Sequence, residues 1–235
     1  MPELCKVAIV AALEREVWPL IKNWPTTHKQ FDGREFKFFE NDSVVVVCGG
    51  IGPEAARRAS EAIIRLHHPV LIISAGFAGA VDPALQVGHT FIARQVIDAD
   101  DGSRTDCDVG ASVLVSFGDV ADVQQKAKLG TAYGAHAVDM EAAAVARSAE
   151  AHGVNFLACK VISDTSRTTL PPIARFIGSD GRFQALGFLA YVGIRPWLWA
   201  NVRRLASNSA LAARKLCVIL AETAEVHAAD RVLTR

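Results

Sequence analysis

Neither sign of charge predominates in this sequence: 25 Lys and Arg stand against 25 Asp and Glu over 235 residues. Proteins that bind polyanions draw affinity from an excess of Lys and Arg, so no nucleic acid partner is expected. Cysteine is also scarce. The five, Cys5, Cys48, Cys107, Cys159 and Cys217, are odd in number, far apart and free of any C-x-x-C pair, which argues against a disulfide framework and against a zinc site. Long apolar runs are missing, the longest falling well short of the roughly 20 residues that a membrane-spanning helix needs. Residues 1–6 lack the basic start, apolar core and small-residue cleavage site of a secretory signal, so a cytoplasmic location is expected. There is no H-E-x-x-H and no G-x-S-x-G, which removes the usual signatures of zinc-dependent and serine-hydrolase chemistry. No metal is expected.

What is present is 51% hydrophobic, enough for a sizeable core. Strand-like runs at 6–11, 36–40, 43–48, 70–74, 89–97, 113–116, 137–139 and 156–162 alternate with helix-like runs at 14–24, 54–67, 122–134 and 141–152. That alternation is the pattern of an α/β domain. Asn41-Asp42 reads as a hairpin turn, Pro53 as the first residue of a helix, and Asp122 with Gln125 as a helix start. The expectation is a single domain over 1–235 with a central mixed, mostly parallel sheet flanked by helices. Within it, 170–235 forms a helical C-terminal region whose Ala212, Leu216, Ile219, Leu220 and Thr223 lay one face on the sheet.

Two motifs have bland readings. Gly50-Ile51-Gly52-Pro53-Glu54-Ala55 matches a dinucleotide fingerprint, but the acid expected about 20 residues later is missing, so a tight structural turn is favoured. The cluster Asp98, Asp100, Asp101, Asp106 and Asp108 lacks the twelve-position calcium loop and reads as a solvated loop. Three segments resist such readings, because charged or glycine-rich residues follow directly on buried strands, where α/β sheets bind ligands. They are Ala11 to Val17 with Glu14, Arg15 and Glu16, Ile73 to Ala80, and the pair Val138-Asp139-Met140-Glu141 with Val161-Ile162-Ser163-Asp164. Carboxylates grouped on one sheet edge suit sugar hydroxyls and a leaving group.

Taken in order, residues 7–16, Gly50-Ile51-Gly52, Ser74-Ala75-Gly76-Phe77-Ala78-Gly79, Asp82 to Gly88, Val138-Asp139-Met140-Glu141-Ala142 and Ile162-Ser163-Asp164 resemble the purine nucleoside phosphorylase and nucleosidase superfamily. Leu170-Pro171-Pro172, Gly181-Arg182-Phe183 and Arg195-Pro196-Trp197-Leu198-Trp199 resemble its hopanoid-biosynthesis-associated phosphorylase branch, which cleaves adenosylhopane. The resemblance implies a nucleoside phosphorylase-like fold and a purine nucleoside substrate, in this branch a lipid-linked one releasing adenine. It implies Asp164 as the acid toward purine N7, oriented by Ser163, and Glu141 as the acceptor of the ribose hydroxyls, with Met140 against the sugar. Glu16 matches the glutamate that activates water in hydrolytic members. Ser74, Gly76 and Phe77 are the remaining substrate-binding candidates.

No cofactor is implied, although inorganic phosphate is a co-substrate in phosphorolytic members. Where some of those carry Arg and Ser near the glycine loop, this chain has Ser74 and Phe77, so phosphate and water both stay open as nucleophile. Rival readings are a methylthioadenosine/S-adenosylhomocysteine nucleosidase and a non-catalytic nucleoside-binding sensor. The resemblance also implies a homo-oligomer. Arg195, Arg203, Arg204, Trp197 and Trp199 raise a further expectation of peripheral membrane contact through the C-terminal region.

Overall fold

The buried runs assemble into one mixed sheet of ten strands. A computed structural model describes residues 6–107 and 109–230, the side chains of 225–230 excepted. Cys5 and Asp108, named above, lie outside the described residues. In chain order the elements are β1 (Val7–Ala11), α1 (Glu14–Ile21), β2 (Thr26–Phe31), β3 (Arg34–Glu40), β4 (Val44–Cys48), α2 (Pro53–His67), β5 (Leu71–Ala80), β6 (Thr90–Asp98), β7 (Arg104–Asp106), β8 (Ser112–Ser116), α3 (Val123–Tyr133), β9 (Ala137–Asp139), α4 (Ala142–Ala151), β10 (Asn155–Asp164), α5 (Ala185–Gly193) and α6 (Trp199–Asp230). Short single-turn helices lie at Ile173–Phe176 and Pro196–Leu198.

At the centre, β4, β1, β5 and β10 run parallel, and their residues alternate between two helical layers. Val7, Ile9, Ile73 and Leu157 meet Val17 and Ile21 of α1 and Ala212, Leu216 and Leu220 of α6. Ala8, Val10, Val45 and Ile72 meet Ala59 and Ile63 of α2 and Val145 of α4. With both faces covered, these strands read as unbroken apolar runs. The C-terminal stripe therefore docks as expected. Leu216 is fully buried, which is worth about 1.5–3 kcal/mol in transfer free energy.

Beyond β5 the sheet curls back: β10 also pairs antiparallel with β6, β6 runs parallel to β8, β8 parallel to β9, and β9 antiparallel to β5. On the other side β3 and β4 form the expected hairpin, with Asn41 Oδ1 accepting from the amides of Ser43 and Val44 at 3.0 and 2.7 Å. The helix starts also follow local chemistry. Gly52 takes φ +96° before Pro53 opens α2, and Asp122 Oδ1 accepts from Gln125 N at 2.7 Å to open α3.

Two differences from the sequence reading matter. β5 continues through Gly76 and Gly79 to Ala80 instead of ending at Ser74, because β10 pairs with it from Leu71 to Gly79. Strand β2 went unread: its residues are mostly exposed and polar, and it holds its place by pairing with β3 at the sheet edge. The chain thus brings the carboxyl ends of β1, β5 and β10 together, next to the short β9.

Candidate active site

A cavity of about 380 Å³ opens at those strand ends, within the roughly 300–1,000 Å³ typical of small-molecule sites. Glu16 enters it from the first turn of α1, Phe77 and Gly79 from β5, Met140 and Glu141 from the turn after β9, and Ser163 and Asp164 from the end of β10. The facing wall is apolar and comes from the C-terminal region, through Leu170, Ile173, Phe183, Phe188 and Leu205.

Glu16 is buried, and its Oε2 accepts from the Leu13 amide at 3.2 Å. Burial raises its carboxyl above the ordinary 4.5, against the pull of that amide and of the Lys160 charge. Glu141 accepts from the Gly52 amide at 2.9 Å on Oε1 and from the Met140 amide at 3.3 Å on Oε2. Burial, reinforced by the Asp139 charge, pushes it up to about 7. Lys160, on the buried strand β10, donates to Asp139 Oδ2 at 2.8 Å and to Ser74 Oγ at 3.0 Å. Burial alone would lower the Lys160 ammonium, but Asp139 and Glu141 outweigh it and the net direction is upward. Asp139 is itself tied in, accepting from Ser116 Oγ at 2.6 Å and from the Ala142 amide at 2.9 Å.

Asp164 sits across the cavity floor. Its Oδ1 accepts from Ser163 Oγ at 2.8 Å, and its Oδ2 is in direct contact with the ammonium of Lys126. Lys126 projects from α3, is 2% exposed, lines the cavity, and also donates to the Thr165 carbonyl at 3.0 Å. A Cβ on Gly79 would lie 2.9 Å from Lys126 Cε and 3.2 Å from Asp164 Oδ2. Glycine there leaves the space in which the pair meets.

The sequence-derived residues divide accordingly. Glu16, Phe77, Met140, Glu141, Ser163 and Asp164 line one cavity. Ser74 and Gly76 do not: the Ser74 hydroxyl lies in the buried interior and accepts from Lys160, and Gly76 stands behind Glu16, where a Cβ would be 3.4 Å from Oε2. These two support the site from beneath instead of lining it. Arg15 reaches the cavity wall with its guanidinium 5.7 Å from the Phe183 ring centroid. Sequence reasoning missed Lys126, Lys160 and the Gly52 amide. A lysine inside the apolar run 156–162 was a readable signal, since a buried charge needs a partner. Lys126 carried none, lying in the ordinary polar stretch Gln124-Gln125-Lys126-Ala127-Lys128. In the acidic loop, Arg147 holds Asp98 at 2.6 Å and Asp101 at 3.1 Å.

The fold and this cavity define a class. The chain belongs to the Phosphorylase superfamily, whose family model matches residues 6–132 and 111–175. The expectation of a nucleoside-cleaving enzyme holds at the level of the family. Among similar proteins, a 5′-methylthioadenosine/S-adenosylhomocysteine nucleosidase of Staphylococcus aureus is 28% identical over 196 residues, covering 67% of this chain and 86% of that one. The S-adenosylhomocysteine nucleosidase of Streptococcus pyogenes, solved with 5-methylthiotubericidin, superposes with a TM-score of 0.69 at 19% identity, covering 94% and 95% of the two chains. Futalosine hydrolase of Helicobacter pylori has a TM-score of 0.66 at 18% identity, with 93% and 98% covered. Both structures share the fold. Among the described residues no helix is long and apolar enough to cross a membrane.

Proposed function

We propose that the protein cleaves the N-glycosidic bond of a purine nucleoside by hydrolysis. The observation that carries this reading is the convergence of three carboxylates, Glu16, Glu141 and Asp164, on one cavity with different surroundings. Glycosidic cleavage builds positive charge on the sugar and negative charge on the base, so a site that favours both must divide the work. Asp164, oriented by Ser163, delivers a proton to N7 of the departing purine. Glu141 accepts from the ribose 2′ and 3′ hydroxyls, its amide partners fixing its orientation, and Met140 packs on the sugar. Glu16 takes the proton of the attacking water; a carboxyl raised by burial is a better base than an exposed one. Phe77 contacts the base or the 5′ substituent.

Water is favoured over phosphate because the two buried cations are already paired, Lys160 with Asp139 and Ser74 and Lys126 with Asp164, which leaves Arg15 as the exposed cation at the cavity wall. The test is chromatographic. Purified protein is incubated with 5′-methylthioadenosine, S-adenosylhomocysteine and adenosine, with and without phosphate. Free adenine plus the unphosphorylated sugar is expected, at a rate independent of phosphate. A ribose 1-phosphate product would make it a phosphorylase with phosphate as co-substrate. Tight nucleoside binding with no base released over hours would make it a sensor.

The apolar wall supports a finer reading, a nucleoside with a large apolar 5′ substituent such as adenosylhopane. Leu189, 60% exposed, lines the cavity, and the same C-terminal region also exposes Leu186, Ile194 and Trp197, at 84, 74 and 72%. Preference for a lipid-linked adenosine over 5′-methylthioadenosine checks it. We further place the protein in the cytoplasm as a homo-oligomer without a cofactor, touching membranes through Arg195, Trp197, Trp199, Arg203 and Arg204. Sedimentation velocity, and co-sedimentation with anionic liposomes, test these two contacts separately.

A further inference from the structure

We propose that Lys126 is a positioning residue that stores the proton taken up by the departing base and passes it on through Asp164. The inference rests on the hydrolytic reading above. Both carboxylate oxygens of Asp164 already accept, one from the Ser163 hydroxyl and one from the Lys126 ammonium. A carboxylate held this way is the ionised form and has no proton to give. Its role toward N7 therefore needs a proton source within reach, and Lys126 is in contact with it, buried from bulk water.

The surroundings of Lys126 single it out for this exchange. It meets Asp164 at the end of β10 and the Thr165 carbonyl just after it; from β5 it meets Gly79, which has no side chain. On its own helix Asp122 is occupied by the Gln125 amide, while Asp119, Asp139, Glu16 and Glu141 line other parts of the cavity. Among the described residues Asp164 is thus the one carboxylate that its ammonium contacts.

The step balances. The C1′–N9 bond breaks with its electron pair going to the base. N7 takes a proton from Asp164, which receives one from the Lys126 ammonium and leaves an amine. The oxygen of water bonds to C1′ and its proton goes to the Glu16 carboxylate. Exchange with solvent returns Glu16 to carboxylate and Lys126 to ammonium, so nucleoside plus water gives base plus free sugar.

The alternative is that Lys126 only fixes Asp164 in place, and two substitutions separate them. Lys126→Arg keeps a charged partner for Asp164, but a guanidinium does not release its proton. Lys126→Met removes both functions. Adenine release from 5′-methylthioadenosine, S-adenosylhomocysteine and adenosine is followed from pH 5 to 10. Both variants are expected to lose about 100-fold or more in kcat, with KM within a few-fold. A Lys126→Arg enzyme that keeps KM but not kcat separates supply of the proton from placement of Asp164, since the guanidinium restores the charge alone. Recovery of wild-type kcat and pH profile in Lys126→Arg, or an unchanged Lys126→Met, overturns the inference.

The double variant Lys126→Met/Asp164→Asn leaves no lone buried charge to unfold the protein. It is expected to be no slower than Asp164→Asn alone, since both changes remove one step. A multiplicative loss would show independent roles and also overturn the inference. If wild-type protein releases no base from any of the three nucleosides, the hydrolytic reading falls and takes this inference with it. If wild type is active and Lys126→Arg matches it, the inference falls alone.

Discussion

Two lysines are buried beside this cavity, and they are held in different ways. Lys160 is locked in a network: it donates to Asp139 and Ser74, with Glu141 and Glu16 near enough to raise it further. Among the described residues Lys126 has one carboxylate, Asp164, and one carbonyl, and it lines the cavity. The first cation balances a cluster of acids and has no route to the substrate except through them. The second is paired to a single group at the point where a base would leave. In a low-dielectric interior both charges need partners, but only a pair open to the ligand can exchange a proton with it.

That contrast can be broken in graded ways. Asp164→Asn should reduce base release by about 10²- to 10⁴-fold and also lower the melting temperature, because it strands the buried Lys126 ammonium; full activity in this variant would remove the acid from the site. Lys160→Met should act on stability first. It strands Asp139 with no cation, a change costing about 3–5 kcal/mol when one member of a buried pair is removed, read in urea melts. A loss under about 1 kcal/mol would mean that the Ser116 and Ala142 donors alone hold Asp139, and that the two lysines are not different in kind.

Glu141→Gln sharpens the comparison through pH. The wild-type carboxyl is pushed from the ordinary 4.5 to about 7 in the folded protein. Between those values the native state holds a proton that the unfolded chain has released, so stability falls as pH rises through that window. The variant should flatten this slope in melts taken from pH 4 to 8. In the wild type, kcat/KM should rise with pH through about 7, as Glu141 ionises to accept the ribose hydroxyls, and the variant should lose that rise. The smallest effect is expected at Trp197→Ala. An exposed ring contributes under about 0.5 kcal/mol to stability, while co-sedimentation with anionic liposomes should weaken measurably if the proposed contact is real.

Much of this was legible in one dimension. Strands β1, β4 and β9, the hairpin turn at Asn41-Asp42 and the capped start of α3 follow from local apolar runs and turn chemistry. The carboxylates Glu16, Glu141 and Asp164 announced themselves by standing directly after buried segments. The Gly50-Ile51-Gly52 segment reads as a tight turn, and its purpose was hidden: the Gly52 amide holds Glu141, 89 positions away. Ser74 and Gly76 misled for the opposite reason. The cavity opens at the carboxyl end of β5, where Phe77, Ala78 and Gly79 line it in succession, and Ser74 and Gly76 lie deeper along the same strand.

Local residue order thus settled which segments are buried and which acids stand at their ends, because burial and turn formation depend on side chains a few positions apart. It could not settle the partners of the charges. Lys126 meets Asp164 across 38 positions and Lys160 meets Ser74 across 86, and those meetings exist only because β10 pairs with β5 and α3 brings Lys126 to the end of β10. Whether a buried lysine is a fixture or a proton store is a property of that packing, since it depends on which other groups share its low-dielectric surroundings.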